Sequence, residues 1–395
     1  MYLKKTIFLL LVLAFVSCKR QEDYGIKPVI EGKPVAKIKL YNNEDDYRME
    51  KIGLSEFVDS VKFVKLETSP ECWIDMITKI LFVDDRMIVI DGFGRKIFLF
   101  DSSGSFIRTI ANRGRGPGEY LNITSCNYDN ARQILSVYDG TSMKLLLYNL
   151  NGDLIQETPI ITSNGAPIRQ IINLPNGNYL CYSEMLSEKV GDYSGLWEMG
   201  SQGNFIRNLF RYDIEATPVF FSPQYSSLQH LSDGTITIKD IMHHDIYHYN
   251  NGSLQRYISY ESKYDNQIAL TFENREEVRS VVCMTAQEKG DYIISFWAVS
   301  PLPFFSLYDK KQNKNRFTDT FDNSNINAVW NPSMKDSNSD SVLVIEISGS
   351  TIIRMLNDEN TSAHTKKVLN NLVAGMSESD IEAMNPILEI LYLKK

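Results

Sequence analysis

Residues 97–108 read Ile-Phe-Leu-Phe-Asp-Ser-Ser-Gly-Ser-Phe-Ile-Arg, which is an apolar strand, a tight turn and a second strand. Glycine suits the turn because tight hairpins require positive φ angles. A fifth, degenerate copy of the pattern spans residues 305–309 and has Asn313 in its turn. The other copies carry their turn glycines at steps of 48, 51 and 49 residues, at Gly104, Gly152, Gly203 and Gly252.

Two further strands precede each copy. The farther ones include residues 77–83 and 168–174. The nearer ones each start just after turn residues such as Asp84-Asp85, and they cover residues 87–90, 134–138, 179–182, 235–238 and 292–296. A four-stranded unit repeated in series every ~40–50 residues is typical of a β-propeller blade.

The two ends of the chain are predicted to build the sixth unit together. Residues 342–347 and 386–393 are strands, and residues 352–382 between them are helical, with apolar Val368, Leu369, Leu372 and Val373. The missing outer strand comes from residues 61–66, which hides an otherwise unpaired sheet edge. The predicted fold is therefore an all-β, six-bladed β-propeller of four-stranded blades, with a helical insertion in the last blade and closure by an N-terminal strand. Seven blades is the alternative count, and residues 35–40 are an extra strand.

The N-terminus has the pattern of an export signal. Lys4 and Lys5 precede an apolar run of ten residues, 7–16, which is shorter than the ~20 residues that a membrane-spanning helix needs. Residues 15–18, Phe-Val-Ser-Cys, resemble a bacterial lipobox, which implies that Cys18 is acylated. An ordinary cleaved signal is the alternative. Glu22 and Asp23 are similar to an acidic surface-export signal.

Three segments follow from this interpretation. Residues 1–17 are a lipoprotein signal peptide, residues 18–50 hold the lipidated cysteine and a tether, and residues 51–395 form the propeller. The protein is expected to be an outer-membrane lipoprotein, facing the periplasm or the cell surface. The net charge of −8 offers no electrostatic basis for binding nucleic acid.

A glycine-rich connector carries a family resemblance. Residues 112–120 read Asn-Arg-Gly-Arg-Gly-Pro-Gly-Glu-Tyr, residues 63–68 Phe-Val-Lys-Leu-Glu-Thr, and residues 385–388 Asn-Pro-Ile-Leu. Together they resemble the six-bladed β-propeller lipoproteins of Bacteroidetes, which are distant relatives of the NHL-repeat propellers. The resemblance covers nearly the whole mature chain. It implies the fold and an envelope location, and it implies no established reaction.

The cysteines of the mature chain beyond Cys18 lie far apart and form no CxxC motif. Export would permit disulfides, although a core of this size does not need them. Buried free thiols are expected for Cys72, Cys126, Cys181 and Cys283.

The ligand face is predicted from loop length. The longer connections, residues 111–121, 183–195, 210–224, 260–276 and 318–336, share one face around the channel mouth, where a rigid scaffold presents binding residues. The ligand-face candidates are Asp91, Arg95, Arg113, Arg115, Glu119, Asp139, Glu184 and Asp240.

Each candidate group has a chemical and a structural interpretation. The acids that end the second strands, Asp91, Asp139, Glu184 and Asp240, could converge on Ca²⁺ or could bond the backbone of their own turns, and we favour the turns. Arg113 and Arg115 could line an anion-binding nest in a loop that otherwise serves as a connector, and we favour the connector.

The histidines and aromatic residues also have a ligand-binding and a structural interpretation. Asp240, His243 and His244 share a loop and could hold Zn²⁺ with a ligand from another blade, or could simply be exposed, which we favour. Trp73, Trp197, Trp297, Trp330, Tyr193 and Phe220-Phe221 could stack on a sugar or peptide, although most are expected to pack between blades.

The function that we favour from the sequence is a non-catalytic binding module for a glycan, peptide or partner protein, tethered to the membrane by its lipid. A metal-dependent propeller enzyme, a lyase or lactonase-like hydrolase, is the first alternative. A structural subunit of an outer-membrane complex is the second. The ligand, the catalytic residues and any cofactor are not identified by the sequence.

Overall fold

The computed structural model describes residues 33–39, 49–93, 95–160, 168–183, 195–210, 228–239, 245–261, 281–299, 304–330 and 333–394. Most of these residues lie in β-strands, and among the sheets of the described residues are four-stranded ones built from consecutive strands. The predicted all-β, propeller-like class is therefore confirmed.

The strands appear in the predicted order. The chain starts with β1 (Ala36–Lys39), β2 (Ile52–Gly53), a 3₁₀ helix (Leu54–Glu56) and β3 (Val58–Lys65). Antiparallel sheets of consecutive strands follow. Their strands are β4 (Ile77–Val83), β5 (Arg86–Asp91), β6 (Lys96–Asp101), β7 (Phe106–Ala111), β8 (Ser125–Asp129), β9 (Ile134–Asp139), β10 (Lys144–Tyr148), β11 (Leu154–Pro159), β12 (Gln170–Asn173), β13 (Tyr179–Ser183), β14 (Gly195–Met199), β15 (Phe205–Phe210), β16 (Leu228–His230), β17 (Ile236–Lys239), β18 (Asp245–Asn250), β19 (Ser253–Glu261), β20 (Val281–Lys289), β21 (Tyr292–Val299), β22 (Phe304–Asp309) and β23 (Lys314–Thr318).

The two ends of the chain meet in one sheet. It contains β25 (Met334–Ser337), β26 (Val342–Ile347) and β27 (Ile387–Leu393), preceded in the chain by β24 (Phe321–Asp322). Strand β3 pairs antiparallel with β27, with Val64 opposite Leu388, which is the pairing predicted for residues 61–66. Strand β25 also pairs in parallel with β4, with Asp336 opposite Lys79.

The predicted helical stretch between β26 and β27 is divided into three helices, α1 (Gly349–Asn357), α2 (Ala363–Leu372) and α3 (Glu378–Glu382). Each begins after a serine whose side chain accepts a backbone N–H of the first turn: Ser348, Ser362 and Ser377. Such caps satisfy backbone donors that a helix start leaves open. The apolar sides of the helices, with Ile352, Leu369 and Ile381, pack in the same cluster as Ile345 and Leu391 of the sheet.

The core lies between neighbouring sheets. One cluster joins Leu180 and Leu196 to Ile238 and Tyr247 of the next sheet. Trp197 and Trp297 are fully buried and Trp330 nearly so, which confirms the packing interpretation for these three. Cys72, Cys126, Cys181 and Cys283 are buried free thiols, as predicted. None of the helices in the described ranges has the length and apolar character needed to cross a membrane.

The predicted hairpin glycines adopt the required conformation. Gly104, Gly152, Gly203 and Gly252 have φ angles of +94°, +90°, +80° and +82°, and Asn313 takes +50° in the degenerate copy. The sequence pattern therefore identified the turns correctly, because the requirement for positive φ is local.

Replacing Gly152 by alanine should destabilise the protein more than replacing Gly234. Both residues have positive φ, which costs a side chain about 1 kcal/mol. A Cβ on Gly152 would also lie 2.5 Å from the Ile110 carbonyl oxygen, whereas none of the described atoms lies within 4 Å of one on Gly234. Urea unfolding should show about 1–2 kcal/mol more loss for Gly152→Ala. Equal losses would contradict the role of the close approach to Ile110.

Candidate functional site

The first strands of the successive sheets are joined by polar side chains. Lys79 on β4 donates to Asn127 Oδ1 on β8 at 2.9 Å, and Asn127 in turn donates to the Ile171 carbonyl on β12. Gln170 on β12 exchanges two hydrogen bonds with the Leu228 backbone on β16, at 3.0 and 2.8 Å.

The same pattern continues around the molecule. Gln229 on β16 exchanges two bonds with the Glu288 backbone on β20, at 2.7 and 3.1 Å. Gln287 donates to the Lys335 carbonyl on β25 at 3.3 Å, and Asp336 on β25 forms a 3.0 Å salt bridge with Lys79. These contacts return to the starting strand. We call the set Lys79, Asn127, Gln170, Gln229, Gln287 and Asp336 the polar ring.

A cavity of about 620 Å³ is bordered by four members of the polar ring, Lys79, Asn127, Gln229 and Asp336. Its wall includes residues of β4, β8, β12, β16 and β25, and the turns that follow the last four of these strands. The volume is within the ~300–1,000 Å³ typical of small-ligand sites. The cavity therefore lies where the first hairpins of four sheets turn, after β8, β12, β16 and β25.

The charged groups of the cavity wall already have partners. Lys79 pairs with Asp336, and Arg132 pairs with Asp129 at 2.6 Å. Asp340 accepts the Ser232 backbone N–H at 2.8 Å. Burial alone would raise the pKa of Asp129, but hydrogen bonds from Arg132 outweigh it and lower the pKa. Asp336 and Asp129 are thus paired with cations, whereas Asp340 accepts an uncharged backbone N–H.

Two uncharged groups complete the wall. Burial lowers the pKa of His230, against a hydrogen bond with the Asn173 backbone that raises it, so the imidazole is neutral at pH 7. Asn173 is 4% exposed, and neither its side-chain oxygen nor its nitrogen has a hydrogen-bond partner. Buried polar groups are almost always hydrogen-bonded, so an amide with neither end paired is an unusual feature of this wall.

A buried lysine lies behind this wall. Burial lowers the pKa of Lys289 to about 8, although the charges of Asp336 and Asp340 act in the opposite direction. Its ammonium group donates to Ser337 Oγ at 3.0 Å and to the Ser339 carbonyl, and both serines line the cavity.

The predicted strand-end acids serve their own sheets. Asp91 accepts the backbone N–H groups of Asp75 and Met76 at 3.2 and 3.1 Å. Asp139 accepts those of Leu121, Asn122, Thr141 and Ser142 at 2.7 to 3.3 Å. Both carboxylates are fully buried. The geometry favours the turn-stabilising interpretation over a calcium site.

Replacing Asp139 by alanine should lower the free energy of unfolding by about 2 kcal/mol, because buried N–H groups lose their acceptor. The loss should be the same with added Ca²⁺ and with EDTA, as judged by thermal melts. Asp319→Ala, at an exposed position, is the control and should change stability by less than about 0.5 kcal/mol. A loss that appears only with Ca²⁺ would restore the metal interpretation.

The glycine-rich loop is closed by its own acid. Glu119 accepts the Gly116 N–H at 2.7 Å, and a Cβ on Gly114 would meet the same carboxylate at 2.0 Å. Arg113 and Arg115 are exposed. The carboxylate occupies the place where an anion would sit in a nest, which favours the connector interpretation.

The remaining candidate residues from the sequence lie away from the cavity or outside the described residues. Arg95 occupies a turn with φ of +52°, and its carbonyl accepts the Tyr120 hydroxyl at 3.0 Å. Trp73 is 40% exposed, and its indole donates to Asp75 at 3.1 Å. Glu184, Tyr193, Phe220-Phe221, Asp240, His243 and His244 lie outside the described residues, as do Cys18 and the signal segment.

None of the ligand-face candidates that the structure describes lines the cavity. The connections 183–195, 210–224 and 260–276 lie mostly outside the described ranges, so the predicted ligand face stays a prediction. Within those ranges, no group of three histidine, cysteine or acidic residues could hold a metal ion.

The sequence did contain a signal for the cavity residues. Asn173 and His230 each stand three positions before the first residue of the turn pairs Asn176-Gly177 and Asp233-Gly234, and Asn127 stands two positions before Asp129-Asn130. A polar residue that recurs near the end of the first strand, just before its turn, indicates a shared polar axis. The repeat was recognised from its turns and second strands, and the polar residues of the first strands were not aligned with one another.

Comparison with known proteins gives a family and a fold. The sequence profile of the domain of unknown function DUF4934 matches residues 37–392. A solved Bacteroides fragilis protein described as exported is 16% identical, with a TM-score of 0.69 over 92% of this chain and 100% of its own. A DUF4221 member from Bacteroides vulgatus is 10% identical, with a TM-score of 0.52 over 85% and 97%. No curated protein matches the chain.

Proposed function

The chain belongs to the DUF4934 family, a domain of unknown function, and from its geometry we propose that it is an exported, lipid-anchored binding module built on a six-bladed propeller. Residues 1–17 are the signal peptide, Cys18 carries the lipid, and residues 51–395 form the propeller, with helices α1–α3 inserted in the last blade. The protein resides in the outer membrane, facing the periplasm or the cell surface.

The polar ring supports the blade count. It links the first strands β4, β8, β12, β16, β20 and β25 and then returns to β4 through the Lys79–Asp336 salt bridge. Each of these strands begins a group of four, and the group of β25 takes β3 as its fourth member. Closure through both chain ends is a general way for a repeat fold to remove free sheet edges.

The cavity carries the proposal of binding. It combines a ligand-sized volume with a wall of polar side chains and two aromatic rings, those of Phe82 and Tyr128. A glycan, a peptide or a partner protein segment is the ligand class.

Anchoring is tested with Cys18→Ala in the native host. Wild type is expected in the outer-membrane fraction, with incorporation of labelled palmitate. The variant should lose the label and leave that fraction. Retention of the label by Cys18→Ala would refute anchoring at this residue.

Binding is tested by blocking the cavity. Ser232 is exposed at its mouth, so Ser232→Trp should fill the entrance without disturbing the core. Full-length protein in detergent micelles is titrated with neutral oligosaccharides, uronic-acid oligosaccharides and peptides blocked at both ends. We expect saturable binding of one class that Ser232→Trp abolishes and Ser201→Trp, in the exposed β14–β15 turn, preserves. Binding that both variants preserve would place the site elsewhere.

A further inference from the structure

Two exposed aromatic residues lie on neighbouring segments of the first sheet. Phe93, in the turn between β5 and β6, is 74% exposed, and Trp73, which precedes β4, is 40% exposed. The two segments are joined, because the Gly92 N–H donates to the Met76 carbonyl at 3.0 Å. The Trp73 indole donates to Asp75 at 3.1 Å, which restrains the orientation of the ring. Both rings are therefore available to a ligand from solvent.

Three arginines stand near these rings. Arg95 follows Phe93 by two residues, and its carbonyl accepts the Tyr120 hydroxyl at 3.0 Å. Tyr120 also forms a β-bridge with Arg113, so one tyrosine side chain separates the Arg95 turn from the glycine-rich loop. Arg113 and Arg115 are exposed, and Arg95 is partly exposed. We call this set the cationic patch: Trp73, Phe93, Arg95, Arg113 and Arg115.

The positive charges of the cationic patch are not neutralised by partners. Among the described residues, no ion pair or hydrogen bond engages any of its three guanidinium groups. Arg132 differs, since it pairs with Asp129 at 2.6 Å. The nearby Glu119 carboxylate accepts the Gly116 N–H at 2.7 Å instead of a cation. Unpaired guanidinium groups in a chain with a net charge of −8 favour an anionic ligand.

We propose that the cationic patch is a second binding site and that it takes an acidic polysaccharide. The carboxylate or sulfate groups of the ligand pair with the arginines, and its sugar rings pack on Trp73 and Phe93. Guanidinium groups bind such anions through two parallel hydrogen bonds, and aromatic rings offer a large apolar face. The site goes beyond the proposed cavity function, because none of the patch residues lines the cavity.

The combination of rings and cations favours an acidic sugar over an acidic peptide. A pyranose ring carries its acid group and an apolar C–H face on one unit, so a single sugar can use both kinds of contact. The aspartate and glutamate side chains of a peptide supply carboxylates without a comparable apolar face. The exposed Phe93 would then add little to the affinity, although it is the most exposed large apolar side chain of the described residues.

The test compares two probes that differ only in charge. Full-length protein in detergent micelles is titrated with hexagalacturonate and with its full methyl ester, which keeps the sugars and removes the carboxylates. Wild type should bind hexagalacturonate at least roughly tenfold more tightly. The affinity should fall when salt rises from about 0.1 M to about 1 M, because the screening length shrinks from about 10 Å to about 3 Å.

The variant Arg95→Gln, Arg113→Gln, Arg115→Gln should bind hexagalacturonate at least roughly tenfold more weakly and keep the wild-type melting midpoint. Phe93→Ser, which removes a ring exposed to solvent, should weaken binding without changing the midpoint either. The matched control removes three positive charges from α1 and α2 and should leave the affinity unchanged: Arg354→Gln, Lys366→Gln, Lys367→Gln.

The alternative ligands are tested with hexaglutamate and with vesicles of phosphatidylglycerol against phosphatidylcholine. Tighter binding of hexaglutamate, or a preference for phosphatidylglycerol that the arginine variant loses, would overturn the polysaccharide class. Hexagalacturonate binding that survives the arginine variant would overturn the site.

The cavity variant Ser232→Trp separates this inference from the proposed function. Hexagalacturonate binding should survive it. Binding that Ser232→Trp abolishes and the arginine variant preserves would place the ligand in the cavity, which overturns the second site and supports the first. No binding of hexagalacturonate by wild type would overturn the second site alone, since the cavity is tested with the other ligand classes as well.

Discussion

Glu389→Gln is expected to stabilise the protein at alkaline pH by about 4 kcal/mol and to change little at pH 4, the largest effect that we expect from one substitution. Glu389 is fully buried on β27. Burial raises its pKa to about 8, against the Val329 N–H that bonds one carboxylate oxygen at 2.5 Å. The other oxygen has no partner.

The direction of this pH dependence follows from the number of protons that the folded and unfolded states bind. The folded state holds the proton up to about pH 8, whereas the unfolded state releases it near 4.5. Between these values the folded state binds more protons, so the free energy of unfolding of the wild type falls as pH rises, and the loss is complete above pH 8. Glutamine does not titrate and can still accept from Val329. Urea unfolding at pH 4, 7 and 9 measures the difference.

Glu198→Gln is the matched control with the opposite sign. Burial would raise the pKa of Glu198, but hydrogen bonds from Arg207 at 2.6 Å and from Tyr249 outweigh it and lower the pKa. Its stabilisation is present above pH 4.5 and is lost as pH falls through the folded pKa. Glu198→Gln should therefore destabilise at pH 7, with a smaller penalty in acid. If both variants followed the wild-type pH profile, neither carboxyl would have a shifted pKa.

Lys79→Met is expected to lower the free energy of unfolding by about 3 kcal/mol, because Asp336 remains in the wall without its cation. Both side chains are 12% exposed, and Lys79 also bonds Asn127 on the next sheet. The substitution breaks the polar ring where the last sheet joins the first. Urea unfolding followed by tryptophan fluorescence measures the loss.

The double variant Lys79→Met, Asp336→Leu separates the two contributions. Removing both charges should recover most of the stability, since a buried pair is often replaceable by apolar side chains. A double variant as unstable as Lys79→Met would mean that the bond to Asn127, rather than the salt bridge, holds the ring together at this point.

Much of the fold could be predicted because its signals are local. The hairpin glycines, such as Gly104 and Gly152, were identified from their spacing, and their φ angles are positive as required. The serine caps divided the predicted helical stretch at Ser362 and Ser377, a detail visible in the sequence once the capping pattern is applied.

The candidate site was much harder to predict. The strand-end acids Asp91 and Asp139 were candidate calcium ligands in the sequence, yet their carboxylates accept backbone N–H groups of adjacent turns. Asn173 and Glu389 looked like ordinary residues of apolar strands. Both have unpaired polar atoms, because the neighbouring sheets and loops place no hydrogen-bonding group beside them. The spacing of residues along the chain does not reveal this.

The sequence by itself determined the strands, the hairpin turns, the burial of Trp197 and the free thiols, since strand periodicity and turn conformation depend on residues a few positions apart. Only the tertiary structure decided that Lys79 meets Asp336, that glutamines from successive repeats bond the next strand, and that a cavity with one unpaired amide in its wall borders the ring. The physical reason is register. These contacts depend on how whole sheets align across distant parts of the chain, and small shifts between sheets would exchange one hydrogen-bond partner for another.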